Sequence, residues 1–160
     1  MAFDNPESLS RLSCQKDRLM NANGKKQSFN PPGTQGSADK YRLSQAMRVG
    51  DTIWVSGQVG VTAERTVPDG IEAQTRLTFE NLKRVLESAG ATLDDIVELT
   101  LLLTDSSIDM APFYRVKDEY IRPPYPAITG FGVSSLALPG LLLEVRAVAV
   151  AGSAVGKQEA

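Results

Sequence analysis

The chain contains no histidine and a single cysteine, Cys14, among its 160 residues. An intrachain disulfide is therefore impossible, and a cysteine-rich metal site is excluded. Without histidine, zinc would have to be held by carboxylates alone, a donor set it rarely uses. The Ser-His and Cys-His pairs that activate nucleophiles are ruled out as well. For acid-base chemistry there remain Asp, Glu, Lys, Tyr and water. Cys14 lies in a polar segment with no histidine to activate it, and reads as an incidental free thiol.

Blocks of one charge and long apolar runs are missing too. The 17 basic and 19 acidic side chains leave a formal net charge of −2 and are spread along the chain. Nucleic-acid binding draws its affinity from clustered Lys and Arg, so nucleic acid is not the expected partner. The stretches Ile96 to Leu103 and Leu136 to Val150 are interrupted by Glu98, Pro139, Gly140, Glu144 and Arg146, and neither resembles a membrane span. Met1 to Arg11 is polar and acidic, unlike a secretory signal, which makes the cytoplasm the expected compartment.

The length suits one domain with a real core. Met1 to about Lys40 is rich in Ser, Asn, Gly, Lys and Gln, and reads as a polar arm with one short edge strand near Gln27 to Phe29. The domain is bounded at 28–152, leaving a mobile arm over 1–27 and a tail over 153–160. Leu43 to Val49 alternates apolar with polar, Gly50-Asp51 is a turn pair, and Thr52 to Ser56 is β-branched and aromatic, a hairpin pattern. Ile71 to Ala89 places Phe79, Leu82, Val85, Leu86 and Ala89 at helical spacing, with Asp69 to cap one end and Gly90 to stop the other.

Asp94-Asp95 is a turn signal rather than a metal site, and Ile96 to Thr104 is a strand. A second helix runs from about Met110 to Ile121, opened by Pro112 and closed by Pro123-Pro124. Strands at Ala127 to Val133 and Leu141 to Ala151 complete an α/β order, β-β-α-β-α-β-β. Two helices shield one sheet face, yet Ile96 to Leu103 and Leu141 to Val150 are apolar on both faces. Self-association is the economical way to cover the second face, with any pocket lying between subunits.

Several short motifs occur in order: Ser44-Gln45-Ala46, Val49-Gly50-Asp51, Val55-Ser56-Gly57-Gln58, Asn81-Leu82 before Ala89-Gly90-Ala91, Thr104-Asp105, Pro126-Ala127 and Leu143-Glu144-Val145. Through them roughly Phe29 to Gly152 resembles the Rid family of reactive-intermediate deaminases, also called YjgF. The resemblance implies an α+β, chorismate-mutase-like mixed sheet with two helices on one face. It also implies a homotrimer whose sheets form a central barrel with three clefts between subunits. Archetypal members hydrolyse reactive imines and enamines, such as those released from amino acids by pyridoxal-phosphate enzymes, to a ketone or keto acid and ammonia. They use no cofactor and no metal.

Carried over residue by residue, the resemblance marks a divergent member. The family's cleft has an Arg on the strand after the Pro-Ala pair and a Cys two residues on; here these are Ile128 and Gly130. Isoleucine cannot replace a guanidinium that binds a carboxylate through two hydrogen bonds. The Tyr before Ser-Gln-Ala is Leu43, and the Asn of the second helix is Tyr114. Glu144 matches the carboxylate that holds the attacking water, and Ser56 and Gly57 on the second strand are retained as well.

Glu144 interrupts an apolar strand, where burial would raise its pKa toward a working range; a carboxylate paired at a subunit interface is the blander alternative. Arg146, two residues on, shares its side of the strand at roughly 6 to 7 Å. It either supplies the cation lost at Ile128, or holds Glu144 ionised, or makes an interface salt bridge. Phe131, Tyr125, Tyr114 and Ile128 make the expected pocket more apolar and aromatic, although Phe131 reads equally as core. Tyr114 and Tyr125 are candidate hydrogen-bond donors, Tyr125 being confined to extended backbone between Pro124 and Pro126.

The leading expectation is general acid-base catalysis by Glu144 on a small imine, enamine or carbonyl compound. The alternatives are a tautomerase or cyclase using the same carboxylate, and a ligand-binding trimer without turnover. Ribonuclease activity ranks last, on the expectation that nothing basic lines the cleft.

Overall fold

Strict alternation along Leu143–Val150 sets the architecture: Leu143, Val145, Ala147 and Ala149 are buried, while Glu144, Arg146, Val148 and Val150 face the other way. The computed structural model describes residues 24–105 and 107–154. Cys14, nearly all of the arm at 1–27 and most of the tail at 153–160 lie outside the described residues. In chain order the elements are β1 (Gln27–Phe29), α1 (Gln35–Tyr41), β2 (Ala46–Val49), β3 (Thr52–Val59), α2 (Ile71–Ser88), a 3₁₀ turn (Leu93–Asp95), β4 (Ile96–Leu103), α3 (Ala111–Tyr120), β5 (Ala127–Gly132) and β6 (Leu143–Val150). The strands form one six-stranded sheet in the order β1-β2-β3-β6-β4-β5. Every pairing is antiparallel except β4 with β5.

Partners in register share a sheet face, so the burial of one strand propagates to the next. Ile53 and Val55 of β3 and Leu99 and Leu101 of β4 join the buried set of β6, and α2 covers them with Phe79, Leu82, Val85 and Leu86. The helix α3 lies against α2, burying Phe113 and Val116, and the Tyr120 ring stacks on Phe79 at 5.4 Å. The opposite face carries Trp54, Leu102, Val148, Val150 and Phe131 with no helix over it among the described residues; Trp54 is 40% and Phe131 53% exposed. This is the expected α+β arrangement, with α2 and α3 on one side. No helix among the described residues is long and apolar enough to cross a membrane.

Four local features depart from or sharpen the sequence reading. The polar segment before Leu43 forms α1, which buries only Ala38 and so shows no apolar period to reveal it. Asp69 does not cap α2. The N-cap is Gly70, which turns the chain at φ +83°, places Asp69 outside the capping position, and makes no side-chain bond. Gly90 does stop α2: at φ +80° it donates its N–H to Glu87, while Ala91 N–H returns to Leu86. Asp94-Asp95 forms the expected turn. Burial works against ionisation of Asp95, but bonds from Thr92 N–H (2.8 Å), Thr92 Oγ1 (3.0 Å) and Ala154 N–H (3.0 Å) hold it below the usual carboxylate range.

Where β3 leaves the sheet, Gly60 runs against α2. A Cβ there would stand 2.5 Å from the Gln74 carbonyl oxygen. Backbone cannot swing aside as a side chain can, so Gly60→Ala is expected to cost about 1–3 kcal/mol through overpacking. A fall in the denaturant midpoint at unchanged slope is the measurement that checks it.

Candidate functional site

The pairing of β3 with β6 slips between Val55 and Gln58, leaving Ser56 and Gly57 as a bulge. Bulges re-aim side chains and open the ladder locally. Here the freed groups tie β3 to the entry of β2: Ser56 N–H donates to Gln45 at 2.9 Å, and Ser56 Oγ donates to the Ser44 carbonyl at 2.7 Å. The Ser56 proton is thus committed to the chain. Gly57 has a different role. Glu144 lies across it, and a Cβ at position 57 would overlap the Glu144 carboxyl. The missing side chain is what gives that carboxyl its place.

Glu144 is half-buried, and its carboxyl accepts no hydrogen bond and joins no ion pair among the described residues. Burial is what pushes its pKa above the ordinary glutamate value. Arg146 shares its face and is exposed, but makes no ion pair with it within one chain.

Beside Gly57 opens a groove of about 640 Å³, walled by Leu43 and Gln45 before β2, the end of β3, the side of α2, and Leu138 and Leu141 before β6. Two α2 amides fix its rim. Asn81 Nδ2 donates to the Val59 and Val61 carbonyls at 2.9 and 3.2 Å. Gln74, 1% exposed, donates from Nε2 to Pro68 (2.9 Å) and Gly140 (2.8 Å), and accepts from Leu142 N–H at 2.8 Å. The role of Gln74 was not apparent from sequence. Its signal was there: Gln74 and Asn81 are seven residues apart, two polar side chains on the buried face of an amphipathic helix.

Among the described residues the only charged side chains in the groove's lining are Arg65 and Arg84, so this groove of the single chain is basic. They are 19 positions apart in sequence, and the fold places both in the lining of one groove.

The remaining sequence candidates divide by sheet face. Phe131 and Glu144 are both register partners of Leu102, so they stand on one face two strands apart, roughly 10 Å. Ile128 and Gly130 pair with Leu99 and Leu101 and therefore face the helical side, at the sheet's outer edge. Tyr114 is exposed on α3, edge-on to Phe113 at 5.3 Å, and Tyr125 precedes β5 beneath Lys117 Nζ at 5.1 Å from its ring centre. A single chain therefore brings Leu43 and Gly57 into the lining of the groove, with Ser56 preceding Gly57 and the Glu144 carboxyl lying across it, both outside that lining. Ile128, Gly130, Tyr114 and Tyr125 are not brought to it.

A mixed sheet helical on one side, with a half-buried carboxylate on the other beside a groove, defines an α+β protein of the YjgF class. The chain belongs to the Rid (YjgF) family, since the family model described as Endoribonuclease L-PSP matches residues 36–151. It is 38% identical over 120 residues to the RutC family protein YjgH of Escherichia coli (strain K12), a match spanning 74% of this chain and 90% of that protein. It is 32% identical over 111 residues to the 2-iminobutanoate/2-iminopropanoate deaminase of Mus musculus, spanning 68% of this chain and 81% of the deaminase. The solved structure of Protein YJGH matches with a TM-score of 0.71 at 36% identity, covering 79% of this chain and 96% of that one. The names within the family are varied, and imine deaminases are among them.

Proposed function

We propose that the chain is a cofactor-independent imine or enamine hydrolase of the deaminase type, with Glu144 as its acid-base residue. The observation that carries this reading is the Glu144 carboxyl, half-buried, without a partner among the described residues, and lying across Gly57, which lines the groove. A carboxylate whose pKa burial has raised is a better match to neutral pH as a proton acceptor. It takes a proton from water as the oxygen bonds to the C=N carbon, then returns that proton to nitrogen. Glu144 then takes the hydroxyl proton of the tetrahedral adduct and delivers it to nitrogen as the C–N bond breaks, so that the carbonyl forms and ammonia leaves. One water is consumed, and nothing is oxidised or reduced.

The uncovered apolar face of the sheet supports assembly as a homotrimer. In such an assembly the exposed β5, carrying Ile128, Gly130 and Phe131, would face a neighbour's groove together with Tyr114 or Tyr125. The cytoplasm is the proposed compartment.

Ammonia release from freshly generated imines, acidic and uncharged, tests the activity, with Gly57→Ala as the informative variant. The new methyl meets only the far end of a flexible side chain, so the fold should survive with its melting temperature little changed. The Glu144 carboxyl has to move, and misplacement by about 1 Å can cost on the order of 100-fold in turnover. Wild-type rates in Gly57→Ala would overturn the assignment. Absence of ammonia from every imine, with proton exchange next to a carbonyl instead, would point to a tautomerase.

A further inference from the structure

The charge of the groove is at odds with the chain around it. The net charge is −2, yet among the described residues the lining holds two arginines and no carboxylate. Among the described residues the ion pairs are Arg48–Asp51, Arg76–Glu119, Arg115–Glu72 and Lys117–Asp118, and none involves Arg65 or Arg84. Glu64, Glu80 and Glu87 are near in sequence, but Glu80 is engaged by the Tyr120 hydroxyl at 2.8 Å and none pairs with either arginine. Two guanidinium groups without a counter-ion in one concavity make a site of positive potential.

Arg65 carries a second mark. It sits at φ +63° in a tight turn closed by bonds between Arg65 N–H and the Thr62 carbonyl and between Thr62 N–H and the Thr66 carbonyl, each 3.0 Å. That backbone region is rare for side chains other than Gly, Asn and Asp. Glycine would form the turn with less strain, so the retained side chain calls for a role of its own. The groove that holds the arginines and Gly57 also presents the apolar side chains of Leu43, Val59, Val61, Leu138 and Leu141.

We propose that Arg65 and Arg84 form a carboxylate-binding subsite, and that the ligand is an acid with an apolar body: its carboxylate on the two guanidiniums, its body along the apolar lining, its C=N carbon at Gly57, across which Glu144 lies. Guanidinium is the group suited to bidentate carboxylate binding. Its presence here explains how a chain with isoleucine at position 128 still selects an acidic substrate. The inference rests on the hydrolase reading for the direction of the C=N carbon, but the subsite stands on binding alone.

The test therefore measures binding without turnover. Calorimetry compares 4-methyl-2-oxopentanoate, a stable ketone of the proposed class, with its uncharged amide, on wild type, Arg65→Gly, Arg84→Gln and the double variant. Arg65→Gly removes the guanidinium and suits the turn, so folding is preserved, and the melting temperature of each variant confirms it. Wild type is expected to bind the acid at least tenfold more tightly than the amide. Each single variant should lose about tenfold for the acid, as expected for a charge-assisted bond, and less than twofold for the amide. Equal binding of acid and amide by wild type, or acid binding unchanged in the double variant, would sink the subsite. Arginine-dependent capture of a single-stranded RNA oligonucleotide, with no binding of the acid, would overturn it in favour of phosphate. If Glu144→Gln binds the acid as wild type does while no imine is hydrolysed by wild type, the hydrolase reading falls and the subsite stands.

Discussion

Glu144→Gln is expected to abolish imine turnover, by about 100- to 10,000-fold, while leaving the protein at least as stable at neutral pH as the parent. The amide fills the same volume over Gly57 but cannot accept the proton. The stability half follows from the direction of the pKa shift. In the folded chain burial raises the Glu144 carboxyl above its ordinary value, so the folded state holds the proton more tightly than the unfolded one. Stability is then greatest below the unfolded pKa, near 4.3, and declines as pH climbs from there through the folded value. At neutral pH the parent carries a half-buried, unpartnered charge that glutamine does not. Melting temperatures across pH 4–8 should therefore fall with rising pH less steeply in the variant. A variant less stable than the parent at pH 7 would mean that Glu144 is held by a favourable pair in the assembly, which is the structural alternative to catalysis.

The largest loss of stability is expected at Gln74→Leu. The side chains are similar in size, but leucine leaves the Pro68 and Gly140 carbonyls and the Leu142 N–H without the partners they have now. Each polar group left unmet in a buried site costs about 1–3 kcal/mol, and partial access of water argues for the lower end, a total of about 3 kcal/mol. That is a large share of the roughly 5–15 kcal/mol available to a domain. The same change frees the segment from Leu138 to Leu142 that walls the groove, so affinity for acid should weaken in whatever fraction stays folded. Denaturant unfolding that places the variant within about 0.5 kcal/mol of the parent would show that the clamp does not matter.

The parts of the fold that were legible in sequence are those with a period. Phe79, Leu82, Val85 and Leu86 announced α2, and the pleat of β6 announced both its buried face and the odd position of Glu144. Periodicity does not choose neighbours, however. That β6 inserts between β3 and β4, and that β5 runs parallel to β4, comes from how α2 and α3 pack. At the site, Gly57 was legible as part of a motif, but its physical reason, a carboxyl lying where a methyl would be, exists only in three dimensions. The arginines were missed because charge was read along the chain. Exposed arginines at 65 and 84 each look like solvated surface until the turn and the helix bring them to one groove.

Neither Arg65 nor Arg84 contributes to the packed core; one rides on an exposed turn and the other on the outer side of α2. The machinery around Glu144, by contrast, is built into the sheet itself. For protein engineering this separation is an opening. The charge of the groove can be neutralised, reversed or extended by two surface substitutions that ask no repacking of the scaffold. A single backbone can thus be diversified toward acidic, neutral or cationic compounds, with its carboxylate left where it is.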